Sequence, residues 1–166
     1  SVYSADYGID HTTRDSDGDT HTVTNWHSTS GQHHEFINDE LVLASKNHDT
    51  RMLKALEPFD TENNTAYKPE YVAGFVSERY SVGLKDAWEM AKQSIFSKLK
   101  NNISSEIRME HNADHVRDLL VTSNYTDVTY KYLLLPIWLS NYKYKDKVYQ
   151  FMVNGQTGKV SGNTPI

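Results

Sequence analysis

The clearest periodicity in the chain runs from Leu84 to Ile107. Leu84, Trp88, Ala91, Ile95, Leu99, Ile103 and Ile107 recur at spacings of three and four residues, which places them along one face of an α-helix. Gly83 can cap its start, and Asp86 falls in the first turn, where a carboxylate meets the positive end of the helix. A stripe of large apolar side chains on an otherwise polar helix is core material, so the helix is expected to pack across a sheet.

Elsewhere the pattern is that of strands. "SVYSADYGIDHT" is extended, "RDSDGD" turns at Asp17-Gly18, and "THTVTNWHS" returns, which together predict a hairpin. "FINDELVLAS" predicts a short extended stretch near Phe36. "NHDTRMLKALEPF" predicts a short helix with Asn47 or Asp49 as its cap, Met52, Leu53 and Leu56 turned inward, and Pro58 at its end. "DTENNTAYKPEYVAG" is a polar, irregular connection. The last third predicts a meander, with "DHVRDLLVTSNY" as one strand and "TYKYLLLPIWLSNY" as the next. Along the latter, Tyr130, Tyr132, Leu134, Trp138 and Tyr142 point one way and Leu133, Leu135, Ile137 and Leu139 the other. Both faces are apolar at its centre, which predicts an internal strand covered on both sides, with a bulge or local edge at Pro136. Lys145-Asp146 then turns the chain into "KVYQFMV". The expected architecture is a single α+β domain over residues 1–166, an antiparallel sheet of hairpins and meander with one long amphipathic helix across it.

"FMVNGQTGKVSG", residues 151–162, decides whether nucleotide chemistry enters. A phosphate loop needs G-x-x-x-x-G-K-[ST] ahead of a helix. Gly155 and Gly158 stand too close together, Val160 follows Lys159 where a metal-binding hydroxyl is required, and Ser161, Gly162 and Pro165 do not begin a helix. The segment fits a hairpin, with Asn154-Gly155 and Gly158 expected at positive φ.

Composition narrows the field further. A fold of 166 residues needs no staple to bury a core, and without cysteine there is no disulfide, thiolate nucleophile or sulfur-bound zinc. The longest apolar run, Leu133–Leu139, is far short of a membrane span, no signal peptide is evident, and a cytoplasmic setting is expected. The net charge is −5, but the acid gathers early (Asp6, Asp10, Asp15, Asp17, Asp19, Glu35, Asp39, Glu40) and the base late. Lys131, Lys143, Lys145, Lys147 and Lys159 face only Asp146. These lysines suit hairpin edges, where they discourage edge-to-edge pairing. A phosphate-binding surface is the other use for them.

"YKYLLLPIWLSNYKYKDKVYQFMVNGQTGKVSGNTP" resembles the C-terminal signature of bacterial proteins that carry a transcription-factor-IIB-type zinc ribbon at their N-terminus. That signature joins a leucine-rich strand with P-x-W, a tyrosine-rich hairpin and a Phe-x-Val-Asn-Gly-x-Thr-Gly-Lys turn. "WHSTSG", "FINDELVLASK", "LEPFD" and "YKPEYVAGFVSERYSV" continue the resemblance upstream, so it covers nearly the whole chain. It implies an architecture more than an activity. The cysteine-bearing ribbon is not among these residues, which implies a domain separated from a longer chain. Asp146 stands where glycine is usual, and Asp enters the left-handed region more readily than most residues. The helicase-like label that family members carry finds no helicase motif here.

"DSDGD" supplies Asp15, Asp17 and Asp19 like the opening of a calcium loop, but Thr20 and Trp26 occupy the positions that require Gly and a bidentate Glu. His11, His21, His27, His33 and His34 crowd the first third, and His21 with Asp19 or His27 could converge on a metal across a hairpin. Asp39, Glu40 and Glu78 offer carboxylates for acid–base work, although any acidic chain does. No G-x-S-x-G motif is present. Tyr130, Tyr132, Tyr142, Tyr144 and Tyr149 with Trp138 would stack on bases or sugars if exposed, and cross-strand packing is the commoner use of such residues.

No catalytic, cofactor-binding or metal residue is therefore assigned. The sequence favours a non-catalytic binding or scaffolding domain whose partner is another protein, engaged through a strand edge or aromatic groove. The alternatives are a nucleic-acid-associated domain acting with an upstream ribbon and a hydrolase.

Overall fold

The computed structural model describes residues 1–164. Its elements are β1 (Val2–Arg14), β2 (Thr20–Gln32), α1 (Thr50–Lys54), a 3₁₀ turn (Pro69–Val72), α2 (Leu84–Glu110), β3 (His115–Thr122), β4 (Ile137–Tyr144), β5 (Lys147–Asn154) and β6 (Val160–Gly162). They form two antiparallel three-stranded sheets, ordered β2-β1-β3 and β4-β5-β6. The fold is α+β. The described residues group into two compact units. The first combines Ser1–Glu40 with Met90–Thr129, and the second combines Leu41–Glu89 with the chain from Tyr130 onward.

In the first unit β1 and β2 pair from Val2↔Gln32 to Arg14↔Thr20, around a turn in which Gly18 takes a φ of 90°. Alternation along β1 sends Tyr3 and Ala5 to one face, where they bury against Leu99, Ile103 and Ile107 of α2. The C-terminal part of the helical stripe expected from the sequence thus forms the core of this unit, whereas Leu84 at its start is exposed. The Gly83 carbonyl accepts the first helical bond from the Ala87 N–H at 2.9 Å. α2 ends in a Schellman arrangement. Ala113 N–H donates to the Arg108 carbonyl and Asn112 N–H to that of Met109, with Asn112 at φ 48°. β3 then returns to β1, with a register shift between Ser4 and Asp6 where Asp118 enters the left-handed region at φ 52°. Two residues of β3 face one of β1 there, which is a bulge of the kind usually built on glycine.

In the second unit Asp49 caps α1 by accepting from the Arg51 and Met52 N–H groups. Met52 and Leu56 bury against Met152 of β5, with Leu53 and Phe59 at the margin. Lys145 and Asp146 make the β4–β5 turn at φ 46° and 62°, so Asp146 adopts the backbone usually given to glycine.

Four expectations are corrected. "DHVRDLLVTSNY" forms β3, but it pairs with β1, because a hydrophobic pattern identifies a strand without naming its neighbour. The stretch at Phe36 is not a strand, and Phe36 is exposed. "TYKYLLLPIWLSNY" is strand only from Ile137. Pro136 accepts from the Gly155 N–H but has no N–H to return the bond, so the regular ladder begins after it, and β4 is an edge strand rather than an internal one. Finally, the 154–160 turn reaches positive φ at Gly158 alone, at 75°. Gly155 meets a different need: a Cβ there would lie 2.8 Å from Pro136 Cβ.

Candidate functional site

The histidines and aspartates singled out from the sequence do not converge. Asp15 accepts from the backbone N–H groups of Asp17 and Asp19 at 3.0 and 2.9 Å and pairs with His21 at 2.8 Å. The hydrogen bond from His21 and then that from Asp19 N–H hold its carboxyl below the usual range. That carboxylate is consumed in building the turn. His27 lies 5.3 Å from the Tyr7 ring, His11 is exposed on β1, and His34 is exposed beyond β2. His33 turns inward and sits between Glu106 and Glu35, at 2.7 and 3.2 Å. Burial opposes its charge, but the hydrogen bonds that it donates to Glu35 and Glu106 outweigh it and raise the imidazole pKa. Among the described residues no group of three or more His, Asp or Glu side chains is placed to hold a metal ion.

The carboxylates are likewise engaged one at a time. Glu40 pairs with Lys98 of α2 and accepts from Ser94. Glu78 accepts from Ser45 and Asn47 and pairs with His48 at 2.9 Å. The Ser45 bond leads the effects that hold the Glu78 carboxyl below its ordinary value. A shallow depression lined by Pro58, Phe59, Asp60, Gln156 and Thr157 offers no free acid. Asp60 is occupied by the backbone N–H groups of Glu62 and Asn63 and by the Asn63 amide.

The outer face of the first sheet is polar and self-paired. Trp26 lies over Gly8, where a Cβ would stand 3.1 Å from the indole, and the Arg117 guanidinium covers the ring centroid at 3.9 Å. Asp6 takes Ser28 and Arg117, while Asp10 takes Thr24 and His115. The hydrogen bond from Thr24, then that from His115, lowers the Asp10 pKa. The Trp26 ring is thus already engaged by Arg117.

The second sheet is different. Its register sets Trp138 beside Val153, Tyr142 beside Tyr149, Ser140 beside Phe151 and Val153 beside Val160. These residues share one face. The opposite face carries Met152 and Asn154, both buried. Tyr142 stacks on Tyr149 at 5.4 Å and tilts toward Phe151 at 6.1 Å. Trp138 is 66% exposed, Tyr144 and Val160 are exposed on the same face, and Leu139, opposite Met152, is exposed on the other. β4 has β5 on one side and, among the described residues, no strand on the other. The sequence pattern weighed these aromatics toward packing because periodicity reports which residues share a face, not whether that face is covered. The cue that pointed the other way was Pro136, which marks an edge.

Searches among known proteins add one relative. The chain is similar to the uncharacterized protein YdjG of Bacillus subtilis, 32% identical over 125 residues that make up 75% of this chain and 36% of that protein. The chain thus spans little more than a third of the length of the curated relative it matches. No family model matches it, and no solved structure does. Among the described residues no helix is long and apolar enough to cross a membrane.

Proposed function

We propose that the chain is a non-catalytic binding module that engages another protein through its second sheet. The unpaired edge of β4 supplies backbone hydrogen bonds, and the aromatic face beside it supplies apolar contact. The observation that carries this reading is the exposure of Trp138 at 66% on an edge strand. Lysines blunt the Lys143–Lys147 end of this edge, but its start at Ile137–Leu139 carries none, and exposed apolar area gathered in one place marks an interaction surface. The test is affinity capture from native cell extract with the wild-type chain and with Trp138→Ser, at low and high salt. Partners that survive salt and are lost with Trp138→Ser support the reading. Identical partner sets from the two chains refute it.

A second reading has its own observation. Tyr142, Tyr149 and Trp138 on an open sheet face, with Lys145 and Lys147 at the hairpin tip, resemble a stacking platform for single-stranded nucleic acid. The resemblance to zinc-ribbon proteins supports it, with a ribbon supplying further contacts. Its mark is affinity for an oligonucleotide that falls steeply with salt.

A further inference from the structure

We propose that the free edge of β4 selects an extended segment that is acidic in its N-terminal half and apolar in its C-terminal half, paired antiparallel. This rests on the reading of β4 as a docking edge and adds the chemistry of what docks.

The phase of the ladder is fixed by Gly155, whose N–H donates to the Pro136 carbonyl at 2.9 Å. In an antiparallel pair alternate residues direct both backbone groups to the same neighbour. Even-numbered residues of β4 therefore bond toward β5, and Ile137, Leu139, Asn141 and Lys143 present theirs outward. The side chains along this edge are graded. Ile137, Trp138 and Leu139 are exposed at its start, Ser140 and Asn141 are polar at its middle, and Lys143, Lys145 and Lys147 crowd its end. Asp146 is the one acid among these lysines and already pairs with Lys143 at 3.1 Å. Lys145 lies over the Tyr144 ring at 5.3 Å, which leaves its charge facing solvent. The unit as a whole holds more Lys and Arg than Asp and Glu, although the full chain carries −5.

An antiparallel partner begins opposite the lysine end and finishes opposite Ile137. Carboxylates in its first half meet Lys143 to Lys147, and apolar residues in its second half cover Ile137 to Leu139. The reverse order sets carboxylates against Trp138 and leaves the lysines opposite hydrocarbon. A second copy of β4 fits poorly for the same reason, since antiparallel self-pairing opposes the apolar end of each strand to the lysine end of the other.

The test uses the full chain and capped peptides matched to the eight residues of β4. One runs from Glu through Thr to Val, a second has the same residues in reverse, and a third has Lys in place of Glu. Binding is followed by calorimetry, and amide exchange is read at Ile137, Leu139, Asn141 and Lys143. The first peptide is expected to bind about tenfold or more tighter than the other two and to slow exchange at those four amides. Asn141→Pro removes one outward N–H without touching the β5 ladder and should abolish binding. The doubly reversed Lys143→Glu, Lys147→Glu chain should instead prefer the Lys-bearing peptide, which keeps the test valid if the proline variant misfolds. Equal binding of all three peptides with protected amides overturns the charge gradient and leaves the docking edge standing. Failure of every peptide to bind, or to protect those amides, overturns both. Binding of oligothymidine unaffected by Asn141→Pro, with the peptides inert, transfers the surface to nucleic acid.

Discussion

Asn154 holds the backbone of Leu56. Its side-chain amide donates to the Leu56 carbonyl at 2.9 Å and to that of Pro58 at 3.1 Å. Its oxygen accepts from the N–H groups of Gln156 and Thr157 at 2.8 and 3.1 Å. The side chain is 1% exposed, so it is a buried polar group with its donors and acceptor used, and it joins the end of β5 to the segment after α1. Asn154→Ala strands two carbonyls and two N–H groups and should cost about 2–4 kcal/mol, seen as a lower urea midpoint with an unchanged slope. Asn154→Asp keeps the acceptor but aims a carboxylate at two carbonyls, and it should be destabilising as well.

The Schellman end of α2 makes a sharper test of backbone preference. Asn112 sits at φ 48° with its side chain off the core. Asn112→Ala is expected to lose about 1 kcal/mol, while Asn112→Gly should be neutral or slightly stabilising. Thermal melts that rank Ala at or above Gly would show that side-chain contacts, not the left-handed backbone, govern this position.

His33 predicts a pH dependence. Burial disfavours its charge, but hydrogen bonds to Glu35 and Glu106 prevail, and its folded pKa lies above the ordinary imidazole value. A raised pKa means that the folded state holds the proton more tightly than the unfolded one. The stabilisation is therefore complete below the unfolded value of about 6.5 and fades as pH rises through the folded value. Denaturant midpoints of wild type and His33→Gln should be well separated near pH 6 and converge as pH rises through the folded value. A gap that stays constant across that window would remove the imidazolium from the account.

Gly8 is required by close approach. A Cβ there would stand 2.6 Å from Thr24 Cγ2 as well as 3.1 Å from the Trp26 ring. The Thr24 hydroxyl is already committed to Asp10, so it is not free to turn away. Gly8→Ala should cost about 1–3 kcal/mol and change the Trp26 environment, read as a shift in near-ultraviolet circular dichroism.

The parts legible in the sequence were those fixed by local physics. The stripe from Ala91 to Ile107 declared its helix because one period accounts for every large apolar residue in it. Asp17-Gly18 and Lys145-Asp146 declared their turns because few residues tolerate those backbones. Pairing partners were not legible. β3 and the approach to β4 carry similar apolar patterns, and nothing local tells a strand that its neighbour lies more than a hundred residues away. The cross-strand packing of Tyr142 on Tyr149 was legible, but the exposure of their face was not, for a related reason. Trp138 and Tyr142 have the same spacing whether a second layer covers them or water does, and only the strand order separates the two cases. Asn154 reads as a turn residue because the Asn-Gly pair is such a common hairpin signal, whereas its buried amide serves carbonyls that no sequence pattern brings near it.

The chain builds each of its two units from two separated stretches, and this governs how it can be made and handled. β1 is made before β3 and lacks one of its neighbours until Thr122 has been added. The stretch from Leu41 to Glu89 must likewise wait for β5 before Met52 and Leu56 have a core to enter. Loop closure over such distances is slow relative to local hairpin formation, so nascent chains should linger with the β1–β2 hairpin formed and little else. A cut after Glu89 splits both units, whereas a cut after Thr129 leaves the first whole and parts the two stretches of the second. Fragments intended to isolate the β4 surface therefore need the segment from Leu41 to Glu89 supplied alongside them.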